Sequence, residues 1–373
     1  MKRTSKKSRL PICAVFLAGG RGTRFWPRSR MRTPKQLLNI VGKETMLRQT
    51  LKRFLPIIPA RNMWVITNAE QAAAVRREMR GSPPSQVLAE PVGRNTAAAI
   101  GLAAVHLAHK HGDALMAALP SDSYIAEAAK YRKLVRAALS LARTPGNLVV
   151  IGVPPTRPET GYGYIERGSP SESALGVPAY AVRRFTEKPE LKVAQEYATS
   201  GKYFWNAGMF FGRASTFLDN LKQFLPATHS ALRELEKSIG TKRYASALRK
   251  IYARLENISV DYAVMEPATR TEGTPRVFVI PAEVGWSDIG SWAAVYELLA
   301  AKAGANVCAG ASFTLESEGN YFWSPKKFVA AIGIRDVVLV ETDDALLLCA
   351  GERSQDVGKI VKWLEEHKSS TLI

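Results

Sequence analysis

Residues 14–36 read AVFLAGGRGTRFWPRSRMRTPKQ, and the fold follows from how this stretch changes character along its length. The apolar run over residues 12–17 has the length and composition of a buried strand. It breaks at Ala18-Gly19-Gly20-Arg21-Gly22-Thr23-Arg24, where three glycines in four positions let the backbone turn tightly and approach a ligand without Cβ interference. Successive amide N–H groups in such a turn form a concave anion site. Arg21, Arg24, Arg28, Arg30, Arg32 and Lys35 add six cations with no acid among them. A strand that ends in a glycine turn and runs into cations suits a phosphate-rich ligand. A plain turn with solvated arginines is the competing reading of this stretch alone. The dinucleotide fingerprint GxGxxG fails, because Phe25 stands where its third glycine belongs, and no GxxxxGK[ST] motif surrounds the turn.

The chain has 373 residues, enough for one large domain with an appendage or for two domains. Its 46% hydrophobic and 23% charged content is that of an ordinary globular protein. The net charge of +19 raises the question of nucleic acid. Twelve of the basic residues lie in residues 1–43, which hold no acid, and the remainder of the chain carries only +7. The excess is therefore a basic tail at residues 2–9 plus the glycine loop. No basic stripe interleaved with aromatics follows, so no nucleic-acid partner is expected. Cys13, Cys308 and Cys349 are odd in number and widely spaced, which gives neither a disulfide framework nor a zinc pattern and fits a reducing cytoplasm. The basic start followed by residues 10–20 imitates a signal peptide, but cleavage there would remove the first strand. No run of about 18 apolar residues appears, so no membrane span is expected.

Beyond the loop, strand and helix patterns alternate to about residue 153 with short joins. Strands are expected at residues 63–67, 86–89, 114–119 and 148–153, and helices at 44–54, 69–79, 96–109 and 126–142. That alternation predicts a doubly wound sheet with its site at the carboxyl ends of the strands. From residue 161 antiparallel segments enter, at 161–165, 182–188 and 205–211, with a Ser/Pro/Gly-rich loop expected at 168–178. The fold class is thus α/β with a doubly wound mixed sheet. Short β segments from residue 306 and an amphipathic helix at 357–367 form a small C-terminal β-rich appendage, either an oligomer contact or a lid. The expected divisions are a basic tail over 1–11, the main domain over 12–300 and the appendage over 301–373.

Four further constellations sit at strand ends. Glu90-Pro91-Val92-Gly93-Arg94-Asn95-Thr96 joins a strand to a helix, with Asn95 or Thr96 able to cap that helix, and reads as a cradle for a nucleobase and ribose. Leu119-Pro120-Ser121-Asp122 and Trp286-Ser287-Asp288 each put a carboxylate just past a strand. Mg²⁺ is held by one or two carboxylates plus phosphate oxygens and water, which Asp122 and Asp288 would supply if the fold joins them. Lys188, before Pro189, is a point cation suited to one phosphate, while Glu187 and Asn206 can bond sugar hydroxyls.

In this order the blocks FLAGGRGTRFWPRSRMRTPKQ, EPVGRNTAAAI, LPSD, GYGYI, FTEKP, WNAGMF, VDYAVME and WSDIGSW resemble the mannose-1-phosphate guanylyltransferase family of sugar nucleotidyltransferases, over roughly residues 12–300. The resemblance implies a Rossmann-like nucleotidyltransferase fold, with GTP and mannose 1-phosphate giving GDP-mannose and pyrophosphate, and Mg²⁺ as cofactor. It implies that Leu17, Ala18, Gly19, Gly20, Gly22, Thr23, Arg24, Lys35, Glu90, Gly93 and Asn95 serve the nucleotide. Gly163, Glu187, Lys188 and Asn206 would serve the sugar phosphate, Asp122 and Asp288 the metal, and Arg24, Lys35 and Lys188 the catalytic step. A cytoplasmic homodimer is expected. Ser123 replaces the family's usual histidine beside Asp122, and Ala98 replaces a proline near the helix start. Many bacterial relatives carry an additional isomerase domain, which a chain of this length is not expected to hold. The alternatives are another sugar nucleotide product or a catalytically silent subunit that binds sugar nucleotide.

Overall fold

The structure is a computed structural model, and it describes residues 10–270 and 277–373. The basic tail expected at residues 2–9 lies outside the described residues. The first half of the chain runs β1 (Ile12–Leu17), α1 (Met46–Phe54), β2 (Met63–Asn68), α2 (Ala72–Glu78), β3 (Val87–Glu90), α3 (Asn95–His111), β4 (Leu115–Pro120), β5 (Tyr124–Ile125), α4 (Ala128–Leu141) and β6 (Leu148–Val153). It continues through β7 (Gly163–Ala174), β8 (Val177–Glu187), α5 (Leu191–Thr199), β9 (Tyr203–Arg213), α6 (Ala214–Phe224), α7 (Pro226–Glu236), α8 (Tyr244–Tyr252), α9 (Glu266–Arg270), β10 (Val277–Pro281), β11 (Trp286–Ser287) and α10 (Trp292–Leu299).

Nine strands form one sheet in the order β3-β2-β1-β4-β9-β6-β10-β8-β7. Strands β3, β2, β1 and β4 are parallel, as are β6 and β10. Strand β9 runs against both of its neighbours, β4 and β6, so the sheet is mixed, as expected. Strands β1 and β4 are buried on both faces, which explains their continuous apolar runs. One face is covered by α3, α6, α7 and α8 and the other by α1, α2 and α4.

Local chemistry sets these elements. Thr45 caps α1 by accepting the Arg48 N–H at 3.1 Å, and Met46, Leu47, Thr50, Leu51 and Phe54 bury one stripe. Helix α3 is buried over Ala97–Leu107 without a break, so it is apolar all round rather than amphipathic. A Cβ on Gly101 of α3 would strike Leu232 Cδ1, so glycine permits α7 to pack this closely. The expected cap at Asn95 or Thr96 does not form. Asn95 Oδ1 accepts the adjacent Thr96 N–H, while Thr96 Oγ1 accepts the Val260 N–H at 2.8 Å and ties α3 to a distant turn. The expected loop at 168–178 is instead a continuous hairpin of β7 and β8. Leu175 and Gly176 form its tip with φ of 53° and 71°, the two positive values that a type I′ turn requires.

The C-terminal unit stacks β12 (Val307–Ala309), β14 (Tyr321–Trp323) and β16 (Val337–Glu341) in parallel, with β17 (Leu346–Ala350) antiparallel at the edge. Strands β13 (Ser312–Leu315) and β15 (Val329–Ile332) form a second parallel pair, and α11 (Val357–Glu366) follows. This coil of short parallel strands is more than an attachment. Tyr321, Val338, Val340, Leu347, Val357, Val361 and Leu364 share one buried core with Phe25, Trp26, Leu38 and Ile40 from the glycine loop's own segment.

Candidate active site

A two-stranded ribbon brings the two aspartates together. Strand β5 pairs antiparallel with β11, Tyr124 opposite Ser287 and Ile125 opposite Trp286. Asp122 and Asp288 therefore leave the same end of the ribbon, although 166 positions separate them in the sequence. The Lys35 ammonium lies between them, 2.9 Å from Asp122 Oδ2 and 2.5 Å from the Asp288 carbonyl oxygen. Lys35 is 6% exposed, so this pairing forms in a poorly solvated place where charge interactions are strong. The Tyr162 hydroxyl donates to Asp288 Oδ1 at 2.6 Å, and its ring sits edge-on to both Trp205 and Trp286.

Around this point opens a cleft of about 960 Å³. Its wall includes Leu17, Gly22, Thr23, Arg24 and Lys35 from the loop after β1, with Asp122 and Asp288. Gly163, Glu187, Lys188 and Asn206 line it as well. Eleven of the residues singled out in the sequence thus face one cavity. Ala18, Gly19, Gly20, Glu90, Gly93 and Asn95 do not line it; Thr96 does, beside Asn95. Glu90 nevertheless adjoins the glycine turn, since a Cβ on Gly19 would sit 3.1 Å from Glu90 Oε2. Glu90 Oε1 accepts the Tyr252 hydroxyl at 2.5 Å, and burial raises the Glu90 carboxyl to about 7.

Gly22 has φ +62°, and a Cβ there would meet Lys35 Cβ at 2.5 Å, so glycine is what lets the turn close over Lys35. Gln36 fixes the turn from beneath: its Nε2 donates to the carbonyls of Ala18 at 2.7 Å and Gly20 at 3.0 Å, and to Gln71. Of the six loop cations, only Arg24 and Lys35 line the cleft. Arg24 Nη1 also reaches the Gly290 carbonyl at 3.3 Å.

Across the cleft, Asn206 Nδ2 donates to Asp261 Oδ1 at 2.8 Å, and Asn206 Oδ1 accepts the Gly208 N–H at 3.0 Å. The Asn206 amide is thereby held in one orientation. Asp261 opens a π-helical turn, Asp261–Met265, and lines the cleft itself. Burial and the charge of Asp261 raise the Glu187 carboxyl to about 7, against the lowering effect of Lys188, whose Nζ lies 3.5 Å from Glu187 Oε1. Lys188 has φ +47°, a strained value for a non-glycine residue, and its N–H donates to the Tyr162 carbonyl at 3.2 Å.

Several wall residues escaped the sequence reading. Asp261 shares a largely apolar block with one other acid, Glu266, and Tyr162 reads as strand filler. Glu352, Ser354 and Gln355 also line the cleft, brought there by the C-terminal unit. Ser123 is buried on the wall, with its carbonyl accepting Arg53 Nη1 at 3.4 Å. Among the described residues no group of three or more His, Cys, Asp or Glu side chains gathers as a metal cage. Two carboxylates beside cations and open space instead match the donor set of an ion that keeps waters and phosphate oxygens as its other ligands.

Comparison with known proteins agrees with this geometry. A nucleotidyl transferase family model matches residues 13–304, and a MannoseP isomerase/GMP-like beta-helix domain model matches residues 310–364. The xanthan biosynthesis protein XanB of Xanthomonas campestris pv. campestris is 39% identical over 359 residues, covering 95% of this chain and 73% of the relative. A mannose-1-phosphate guanylyltransferase of Escherichia coli K12 is 38% identical over 357 residues, covering 94% of this chain and 73% of the relative. A crystal structure from Thermus thermophilus, described as a mannose-1-phosphate geranyltransferase, superposes with a TM-score of 0.85 at 34% identity, covering 95% of this chain and all of that one. The chain belongs to the nucleotidyl transferase family, within the group that holds these mannose-1-phosphate guanylyltransferase relatives.

Proposed function

We propose that this chain is a mannose-1-phosphate guanylyltransferase, joining GTP and α-D-mannose 1-phosphate to give GDP-mannose and pyrophosphate. The observation that carries the reading is the meeting of Asp122, Asp288 and Lys35 beside the glycine turn, opposite Glu187, Lys188 and Asn206 in one cleft. The names of the relatives select mannose and guanine within that chemistry.

A sugar-phosphate oxygen is already anionic at neutral pH, so no general base is required. It attacks the GTP α-phosphorus in line, forming the new P–O bond as the bond to the β-phosphate oxygen breaks and pyrophosphate departs with its electron pair. The obstacle is repulsion between anions, and positioning and electrostatics remove it. Holding both substrates in line lowers the barrier by on the order of 7–11 kcal/mol. The amides of the Gly19–Gly22 turn and the side chains of Arg24 and Lys35 bind the triphosphate and stabilise the departing pyrophosphate. Lys188 binds the sugar phosphate, while Glu187 and Asn206 hold sugar hydroxyls. Asp122 and Asp288 are the residues that would hold Mg²⁺, which when bound supplies further charge neutralisation at the phosphates.

We also place the enzyme in the cytoplasm as a homodimer. Among the described residues no helix is long and apolar enough to cross a membrane, and Cys13, Cys308 and Cys349 are free thiols. Exposed Phe313, Leu315, Phe328 and Ile332 give the C-terminal unit an apolar face suited to a second copy.

The deciding experiment incubates pure protein with Mg²⁺, each of GTP, ATP and UTP, and each of mannose, glucose and fucose 1-phosphates, scoring pyrophosphate release. GTP with mannose 1-phosphate is expected to lead. Preference for another pairing overturns the substrate assignment, and tight GDP-mannose binding without turnover overturns the catalytic one.

A further inference from the structure

Three of the four loop cations that do not face the cleft turn instead to the C-terminal unit. Arg21 Nη2 pairs with Glu365 Oε1 of α11 at 2.5 Å. The Arg28 guanidinium stacks over the Trp323 ring at 4.0 Å. Arg30 donates to the Leu372 carbonyl at 2.9 Å and to Asp344 at 2.7 Å, and Trp26 Nε1 donates to that same carbonyl at 2.8 Å. Each of these partners belongs to the C-terminal unit. The loop that binds phosphate on its inner side is thus held by the appendage on its outer side.

A steric contact backs the same turn. A Cβ on Gly358 of α11 would touch Thr23 Oγ1 at 3.4 Å and Arg24 Cγ at 4.0 Å. Thr23 and Arg24 form a short 3₁₀ turn, Thr23–Phe25, on the cleft wall. Its rear therefore lies against the helix at Gly358, where an added methyl group would make ordinary contact. The same unit contributes Glu352 and Gln355 to the wall, and Ser354 Oγ accepts the Ala293 N–H of α10 at 3.3 Å.

We infer that the C-terminal unit is a working part of the nucleotide site, with Gly358 and Glu365 of α11 acting as positioning residues that fix Thr23 and Arg24 against the triphosphate. This rests on the functional reading above. The ion pair is half-exposed and adds little to folding, so its loss moves the loop without unfolding the protein. The contact at Gly358 is steric, so larger side chains displace the turn inward.

The test uses the full chain, after wild-type binding of GTP is established by calorimetry and turnover by pyrophosphate release. Arg21→Glu and Glu365→Arg each place like charges at the clamp. Each is expected to raise KM for GTP roughly threefold to tenfold, the scale of an exposed pair turned repulsive, with KM for the sugar phosphate and the melting temperature unmoved. The reciprocal double variant is expected to recover wild-type values to within about twofold. Gly358→Val is expected to raise KM for GTP further. Unchanged GTP binding in the single variants overturns the clamp. Failure of the double variant to recover overturns it too, because the Arg21 charge then acts on the nucleotide directly. A parallel rise in both KM values with a lower melting temperature reduces the contact to folding alone. Wild-type protein that binds no GTP overturns the functional reading as well as the clamp.

Discussion

Tyr162 donates its hydroxyl proton to Asp288 Oδ1 at 2.6 Å, and that bond aims one of the two carboxylates on which the site depends. The phenol ring is wedged between Trp205 and Trp286, with centroids 5.3 and 5.6 Å away, so removing the oxygen leaves the ring in place. Tyr162→Phe is expected to lower turnover roughly tenfold, the usual cost of losing a partner that orients a ligating group. Titrating activity against Mg²⁺ should show a weaker metal requirement curve, shifted to higher concentration. An unchanged curve would remove Tyr162 from the site's machinery.

Two glycines of the same turn should answer differently to alanine. Gly22 has φ +62° and its added Cβ would strike Lys35 Cβ at 2.5 Å and the Lys35 amide nitrogen at 2.9 Å. Gly22→Ala is expected to cost about 1–3 kcal/mol from backbone strain, and to abolish most turnover by pushing Lys35 from Asp122. A Cβ on Gly20 meets nothing within 4 Å, so Gly20→Ala should leave stability unchanged or slightly raised. Urea unfolding of the two variants checks the contrast, and equal losses would mean the turn is not closed over Lys35.

The sugar side of the cleft should respond to pH near neutrality. Burial first and Asp261 second raise the Glu187 carboxyl from 4.5 to about 7. Between those values the folded chain keeps a proton there that the unfolded chain has lost. The group's contribution to stability is therefore complete below pH 4.5 and is lost as pH rises through 7. Asp261→Asn removes the like charge, so the Glu187 midpoint should fall, and the pH dependence of KM for mannose 1-phosphate should move to lower pH. A profile that stays where it was would separate Glu187 from acceptor binding.

Leu315 and Ile332 are register partners on neighbouring strands and are 46% and 66% exposed. Burying such a face against a second copy would favour association at roughly 25 cal/mol per Å² before the costs of ordering. Sedimentation equilibrium is expected to give a dimer, and Leu315→Glu with Ile332→Glu a monomer of unchanged melting cooperativity. A wild-type monomer at micromolar concentration would end the homodimer proposal.

The sheet and the loop after β1 were legible because their signals are local: an apolar run, then glycines, then cations. Asp122 and Asp288 were legible as strand-end acids. What joins them was not, since β5 and β11 have two residues each, too few for any periodicity to register. Asp261 does not stand out in VDYAVME, where it and Glu266 look like a solvated helix face until the π-helical turn brings Asp261 to Asn206. The Leu175-Gly176 turn was missed for a related reason: leucine does not advertise a positive φ. Glu352 and Gln355 reach the cleft only through packing of the C-terminal unit, which no pattern near residue 20 can announce.

The reversed strand β9 divides the sheet into an all-parallel block, β3-β2-β1-β4, and a mixed one, β6-β10-β8-β7, in which β8 runs against both β10 and β7. Residues for the donor nucleotide sit in the block built on β1 and β4, while Glu187, Lys188 and Asp261 belong to the far side. The two sides are keyed at several points: Lys35 grips the Asp288 carbonyl, Arg24 reaches the Gly290 carbonyl, and β5 pairs with β11. A change on the acceptor side is thus felt at the donor's grip, because the same carbonyl and ribbon serve both.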